Sequence, residues 1–293
     1  MVTHHIVTGP AAPKQEPGKA RMPGAADTRW ADTAGRAAIY GLAVLGLVIL
    51  VVPTLITLVA AFDTRAFIGF PPEDLGLDRF VALAQDQAII DAAVTSVAVG
   101  VAAVVIDVLL AVPAAIALVR REFRGKEFLL GFLQMPLMLP GIVIGIALLI
   151  FFSAAGYDLS YEILVAGHVV LTFPFVLRIA MARMERADPA VEEAARNLGA
   201  SSLVVFTRIQ LPFLMPGIVA GAAFAFLTSF DNLTVSLFIT PVGDMTLPVE
   251  LFFLMRFDLD PVVAAVAAVQ VFLTLVVIVA GLRLVGEEAI VRE

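Results

Sequence analysis

An all-α integral membrane protein with six transmembrane helices is the fold class this sequence predicts, and three observations predict it. The 293-residue chain is 60% hydrophobic and 15% charged, with a mean hydropathy of +0.98. A soluble domain is nearer 45–50% apolar and about 25% charged. Its uncharged apolar runs reach the roughly 20 residues that a helix needs to cross a hydrocarbon core of about 30 Å. Its lysines and arginines are confined largely to alternate connections. The chain has no cysteine, which excludes disulfides and thiolate metal sites. His4, His5 and His168 are the only histidines, too few for a histidine-rich metal centre.

The elements follow in order. Residues 1–37, with "GPAAPKQEPGKARMPGAA", are rich in Pro, Gly, Ala and charge and read as a disordered arm rather than a cleaved signal peptide. A membrane domain then occupies 38–286, and 287–293 form a tail. The first span is Ala38–Phe62. The second lies between Asp91 and Arg120 and is interrupted only by Asp107. The third occupies the uncharged stretch between Glu127 and Asp158, where "MPLMLPG" makes a straight helix improbable. The fourth is Ile163–Ala182, with Arg178 in its last turns. The fifth starts near Pro216 and passes Asp231 towards Thr240. The sixth lies between Asp260 and Arg283. Prolines within these spans (Pro53, Pro113, Pro136, Pro140, Pro174) free backbone groups that either a packed neighbour or a water-filled cavity must satisfy.

Sixteen of the 19 Lys and Arg residues fall in the N-terminal arm, the second–third loop, the fourth–fifth region from Arg178 to Arg208, and the C-terminal end from Arg283 onward. Only Arg65, Arg79 and Arg256 lie in the opposite loops. The positive-inside rule then puts both termini in the cytoplasm.

The fourth–fifth loop, 188–212, is more than a connector. Asp188 can cap a helix that has Pro189 at its first position, where the missing N–H costs nothing. Glu192 and Glu193 suit the helix dipole, and Glu192 can pair with Arg196 at i,i+4. Val191, Ala194, Ala195 and Leu198 share one face, and Gly199 stands where a left-handed residue ends a helix. Ser201 can cap a second short helix over Leu203–Ile209. The product is a two-helix elbow, which could be a docking element or an interfacial helix resting on the membrane.

Glu193-Ala194-Ala195, then Gly199 after three intervening residues, then Ile209-x-Leu211-Pro212 after nine more, resemble the signature loop of binding-protein-dependent ABC importer permeases. The resemblance implies the type I importer permease fold. In it the first helix of this loop is a coupling helix that meets a separate ATPase through Ala194, Ala195 and Leu198. The chain has no GxxxxGK[ST] phosphate loop of its own, so ATP and Mg would be bound by the partner. This chain would bind no cofactor and catalyse no reaction. The implied partners are an ABC ATPase dimer, a second permease subunit, an extracytoplasmic solute-binding protein and membrane lipid, with no nucleic acid. The implied location is a bacterial inner membrane.

Two carboxylates lie inside predicted spans, where an Asp costs roughly 2.5–3.5 kcal/mol at a helix centre. Asp107 is 13 residues before Arg120, about 20 Å along a helix. It is either a passage residue or a buried interhelical hydrogen-bond partner. Asp231 is 15 residues after Pro216, about 22 Å, in the outer part of the core, with Ser229, Asn232, Thr234 and Ser236 close by. His168 reads as a hydrogen-bonded interior residue. "AFAFLTSFDNLTVSLFIT", "TLPVELFFLMR" and "DLDPVVAAVAAV" are similar to the second permease of spermidine/putrescine importers, over roughly residues 38–285. By that resemblance Asp231, with Asn232 and Ser229, would line the path of a cationic amine, and Asp107, from its place inside a span, is a second candidate for that path. Polyamine permeases often carry two acidic residues where this chain has Asp231-Asn232; one carboxylate fewer suits a smaller or less cationic solute. Related permeases carry ferric iron, sulfate, molybdate or thiamine-like solutes, and an ion-coupled secondary transporter is the competing class. Leu247–Met255, in the fifth–sixth loop, reads either as a re-entrant or interfacial helix or as a simple surface segment.

Overall fold

The computed structural model describes residues 25–65, 70–257 and 261–290. The chain divides into two units, Met1–Thr54 and Leu55–Glu293. Helix α1 (Ala25–Ala60) begins in the first unit. Residues 25–37, read from the sequence as disordered arm, are therefore helical, and residues 1–24 lie outside the described residues. The cause is compositional: Pro and Gly crowd the stretch before Ala25, whereas Ala25–Ala38 is rich in good helix formers.

In the second unit every described element is helical, apart from one isolated bridge between Asp63 and Leu75. Helix α2 (Asp78–Gln85) is short and leads to α3 (Gln87–Arg120), which Asp86 caps by accepting from Ala88 N at 3.0 Å. Next come α4 (Lys126–Gln134), a 3-10 turn (Met135–Met138) and α5 (Gly141–Ala154). These form a pair bent by 110° at Leu139-Pro140, the break expected from "MPLMLPG". Helix α6 (Tyr161–Met184) is capped by Ser160, and α7 (Pro189–Asn197) by Asp188. Helix α8 (Ser202–Val205) passes through a π-helical turn (Phe206–Gln210) directly into α9 (Leu211–Phe230). The chain closes with α10 (Ser236–Ile239), α11 (Leu247–Phe257) and α12 (Val262–Ile290). Among the described residues five helical runs are long and apolar enough to cross a membrane, and there are six if the bent pair is one span.

Two expectations need correction. The fifth span runs from Ser202 to Phe230, not from Pro216 to Thr240. Pro212 lies inside that run, directly after the π-helical turn (Phe206–Gln210), whose widened register accommodates a residue with no N–H to donate. Leu203–Ile209 is accordingly no separate arm of an elbow; it is the first turns of that same run, with the π-helical turn absorbing the extra residue.

The core forms where α3, α6 and α9 meet around Ala111, Ala115, Leu118, Val176, Leu177, Ala180 and Ala225. Small residues dominate because helices in lipid gain by close backbone approach rather than by hiding apolar surface from water. Gly221 shows the limit: a Cβ there would sit 3.2 Å from the Val176 Cα. Helix α12 joins through Val266, which clusters with Ile89, Phe230 and Leu247.

Candidate functional site

The loop at 188–212 folds as its sequence dictates. Asp188 accepts from Ala190 N at 2.9 Å, and Ser201 accepts from Val204 N at 3.4 Å. Gly199 has φ +89°; Ala200 N donates to Ala195 O at 3.0 Å and Gly199 N to Arg196 O at 2.9 Å, the paired bonds of a Schellman motif. The expected apolar face exists and points outward: Val191 is 54% exposed and Leu198 89%, with Glu193 and Ala194 also exposed and Ala195 half-buried. The second half of the signature packs instead. Ile209, Leu211 and Pro212 are half-buried, and Leu211 joins the cluster of Val112, Met184, Leu214 and Ile218.

Glu192 holds this element to the bundle. Only 3% exposed, it accepts from Arg120 Nε at 2.9 Å, Gln210 Nε2 at 2.8 Å and Arg196 Nη2 at 3.4 Å. Arg120 also donates to Ala187 O at 2.8 Å. One carboxylate thus ties α7 to the end of α3 and to the π-helical turn. The sequence indicated the Glu192–Arg196 pair; it carried no local signal for Arg120 or Gln210, which are 72 and 18 residues away.

The passage candidates separate into two groups. Asp107 is fully buried between helices: its Oδ2 lies 2.6 Å from Thr172 Oγ1, which is also 2.7 Å from His168 O. Its Oδ1 has no hydrogen-bond partner among the described residues. Of the two readings open for Asp107, this geometry matches the interhelical one. Ser229 does not stand beside Asp231 as expected; it is buried and lies 2.6 Å from His168 Nδ1. His168 Nε2 lies 3.0 Å from Ser236 Oγ, which donates to Asn232 O at 2.6 Å. Because the single Ser236 proton is used there, Nε2 carries the imidazole proton and Nδ1 accepts from Ser229. His168 thereby links α6 to both sides of the 231–235 break.

Asp231 differs. It is not inside a span but is the residue that ends α9, and it is exposed. Its neighbour Asn232 is spent locally, its Oδ1 accepting from Val235 N at 2.9 Å. The Asp231 carboxylate makes no side-chain hydrogen bond or ion pair among the described residues, and it adds to the negative end of the α9 dipole. The arrangement favours a cation. Helix α11, expected at Leu247–Met255, is anchored where Leu247 N donates to Ser96 Oγ at 2.8 Å. No group of three or more His, Cys, Asp or Glu residues able to hold a metal is present among the described residues.

With these features in place, the comparison with known families is decisive. The family described as "Binding-protein-dependent transport system inner membrane component" matches residues 107–285, a stretch containing α6, the 188–212 loop and α9. The chain belongs to that family. The permease is 31% identical over 232 residues to the spermidine/putrescine transport system permease protein PotC of Escherichia coli (strain K12), covering 79% of this chain and 88% of PotC. It is 34% identical over 156 residues to the molybdate/tungstate transport system permease protein WtpB of Pyrococcus abyssi (strain GE5 / Orsay), covering 53% of this chain and 62% of WtpB. Its fold matches a chain in the crystal structure of a bacterial alginate ABC transporter in complex with alginate pentasaccharide-bound periplasmic protein. There the TM-score is 0.65 at 16% identity, covering 88% of this permease and 94% of that chain. The permease is a membrane-spanning subunit of an ABC importer of the binding-protein-dependent type.

Proposed function

We propose that this permease forms, with a second permease subunit, the path by which a polyamine or related cationic amine crosses the inner membrane. The observation that carries the choice of solute is Asp231: an exposed carboxylate with no side-chain partner among the described residues, at the negative end of α9, in a chain 31% identical to PotC across 88% of PotC. An ammonium group gains from both charges, whereas an oxyanion such as molybdate would meet the same charges as repulsion.

ATP and Mg are held by a separate ATPase dimer, and solute arrives on an extracytoplasmic binding protein. The exposed face of Val191, Ala194 and Leu198 docks on the ATPase, which places the 188–212 loop and both termini in the cytoplasm. A helix capped at both ends and clamped through Glu192 transmits displacement; a slack loop would absorb it. Closure of the ATPase dimer draws the two coupling helices together and opens the path outward.

Vesicles carrying the complete complex and its binding protein test the solute. Labelled spermidine or putrescine is taken up on addition of ATP. Asp231→Asn, which keeps size and removes charge, lowers uptake at least several-fold, while Asp231→Glu retains part of it. Uptake by Asp231→Asn at the unmodified rate would make the carboxylate structural and remove the chemical support for a cationic solute.

A further inference from the structure

Beside the coupling loop, a cavity of about 400 Å³ opens between the end of α3, the end of α7 and the π-helical turn. Three guanidinium groups line it: Arg120, Arg121 and Arg196. The carboxylate among them, Glu192, is already shared by Arg120 and Arg196. Arg121 is exposed and makes no side-chain hydrogen bond or ion pair among the described residues. Two positive charges are therefore left unbalanced in a partly walled cleft, where the low-dielectric lining focuses their field on any anion that enters. Arginine's planar fork of donors suits phosphate oxygens.

The cavity's other wall is apolar and is supplied by Pro113, Ile116 and Ala117 of α3, with Phe206 of the π-helical turn. Pro113 precedes Arg120 by seven residues of one helix, about 10 Å. The charged rim therefore stands at the end of a span, and the apolar wall extends inward from it. A free phosphate would use only the rim; a phospholipid would use both, its phosphate on the arginines and its glycerol and first methylenes along Pro113 and Ile116. Basic pockets between helix ends are a recurrent way to hold anionic headgroups.

The geometry points to a binding site for an anionic phospholipid, its phosphate held by Arg121 and Arg196 against the coupling helix. The proposal goes beyond the solute assignment and rests on the family only in placing α3 across a bilayer. Because Arg196 belongs to α7, the occupied site would also brace the coupling helix.

The complete complex is reconstituted in phosphatidylcholine with or without phosphatidylglycerol and re-extracted, and the lipid it retains is identified by native mass spectrometry. The unmodified complex retains phosphatidylglycerol, and Arg121→Gln loses most of it. Arg124→Gln, which removes the same charge from an exposed position that does not line the cavity, behaves like the unmodified complex. Equal retention by Arg121→Gln and Arg124→Gln, or phosphatidylcholine retained as well as phosphatidylglycerol, overturns the proposal. Titration of the lipid-free complex with inorganic phosphate is the second arm. Tight binding there that Arg121→Gln abolishes would assign the cavity to a soluble anion and overturn the lipid reading.

Discussion

At the scale of the residue, most is asked of Glu192. Taking one partner from a buried, hydrogen-bonded charge cluster costs on the order of 3 kcal/mol, because the remaining charges are stranded. Glu192→Ala is expected to leave the chain in the membrane with the six spans intact, while solute-stimulated ATPase activity of the reconstituted complex falls far more than basal activity. Glu192→Gln keeps an acceptor for Gln210 or Arg120 and should fall between the two. Stimulation of Glu192→Ala equal to that of the unmodified complex would show that the clamp is not needed for coupling.

How much of the candidate site was legible beforehand follows from what each residue needs. Gly199, Asp188 and Ser201 act on backbone groups two to five residues away, and such local demands leave their mark on sequence. Glu192 was legible only in its i,i+4 partner. Its bonds to Arg120 and Gln210, and those of His168 to Ser229 and Ser236, depend on how distant helices meet. No periodicity encodes that. Ser229 was misplaced for this reason: polar neighbours of Asp231 in sequence were read as neighbours in space, and one of them turns inward to a histidine.

At the scale of the element, helix existence was readable and two boundaries were not. The sequence suggests a fifth span starting near Pro216, whereas Pro212 and Pro216 both lie inside the Ser202–Phe230 run. The true interruption is the 231–235 break, whose sequence "DNLTV" contains neither Pro nor Gly. The segment that follows is seated by glycines on other helices. Gly141 lies against Thr234 and Gly167 against Ile239, and a Cβ on Gly145 would stand 2.8 Å from Phe238 Cδ2 and 3.0 Å from Thr234 O. Since backbone cannot yield as a side-chain tip does, Gly145→Ala should destabilise the protein by about 1–3 kcal/mol. Thermal unfolding in detergent measures this against Gly131→Ala, at an exposed helical position with nothing within 4 Å of the added carbon. Equal melting temperatures for the two would mean that the seat is slack.

The connection after α1 adds a pH dependence. The Arg65 side chain, donating to Asp63 Oδ2 at 2.8 Å from Nε, holds the Asp63 carboxyl below its usual range, against the opposing effect of burial. A carboxyl held low in the folded state contributes stability that is full above its unfolded value, about 3.9. That contribution is lost as pH falls through the folded value. The melting temperature of the unmodified protein should therefore drop more steeply below about pH 4 than that of Asp63→Asn. Parallel curves would show that the pair contributes nothing.

At the scale of the whole molecule, alternate placement of charge and apolar runs was enough to read a six-span membrane protein, because a bilayer constrains length and polarity more severely than water does. The family match over residues 107–285 agrees with that reading. The central claim is that the outward face of α7 is the surface on which an ATPase subunit acts, and the absence of cysteine allows it to be tested with no thiol background from this chain. Leu198→Cys and Val242→Cys each introduce a single thiol at an exposed position, the first just after α7, the second in the connection from α10 to α11. Helix α11 is anchored at Ser96, near the opposite end of α3 from Arg120. In the assembled complex, treated with a short thiol-to-amine crosslinker, Leu198→Cys should join this chain to the ATPase in high yield, and Val242→Cys should not. A crosslink to the ATPase from Val242→Cys, with none from Leu198→Cys in a complex that still hydrolyses ATP, would contradict both the coupling helix and the orientation.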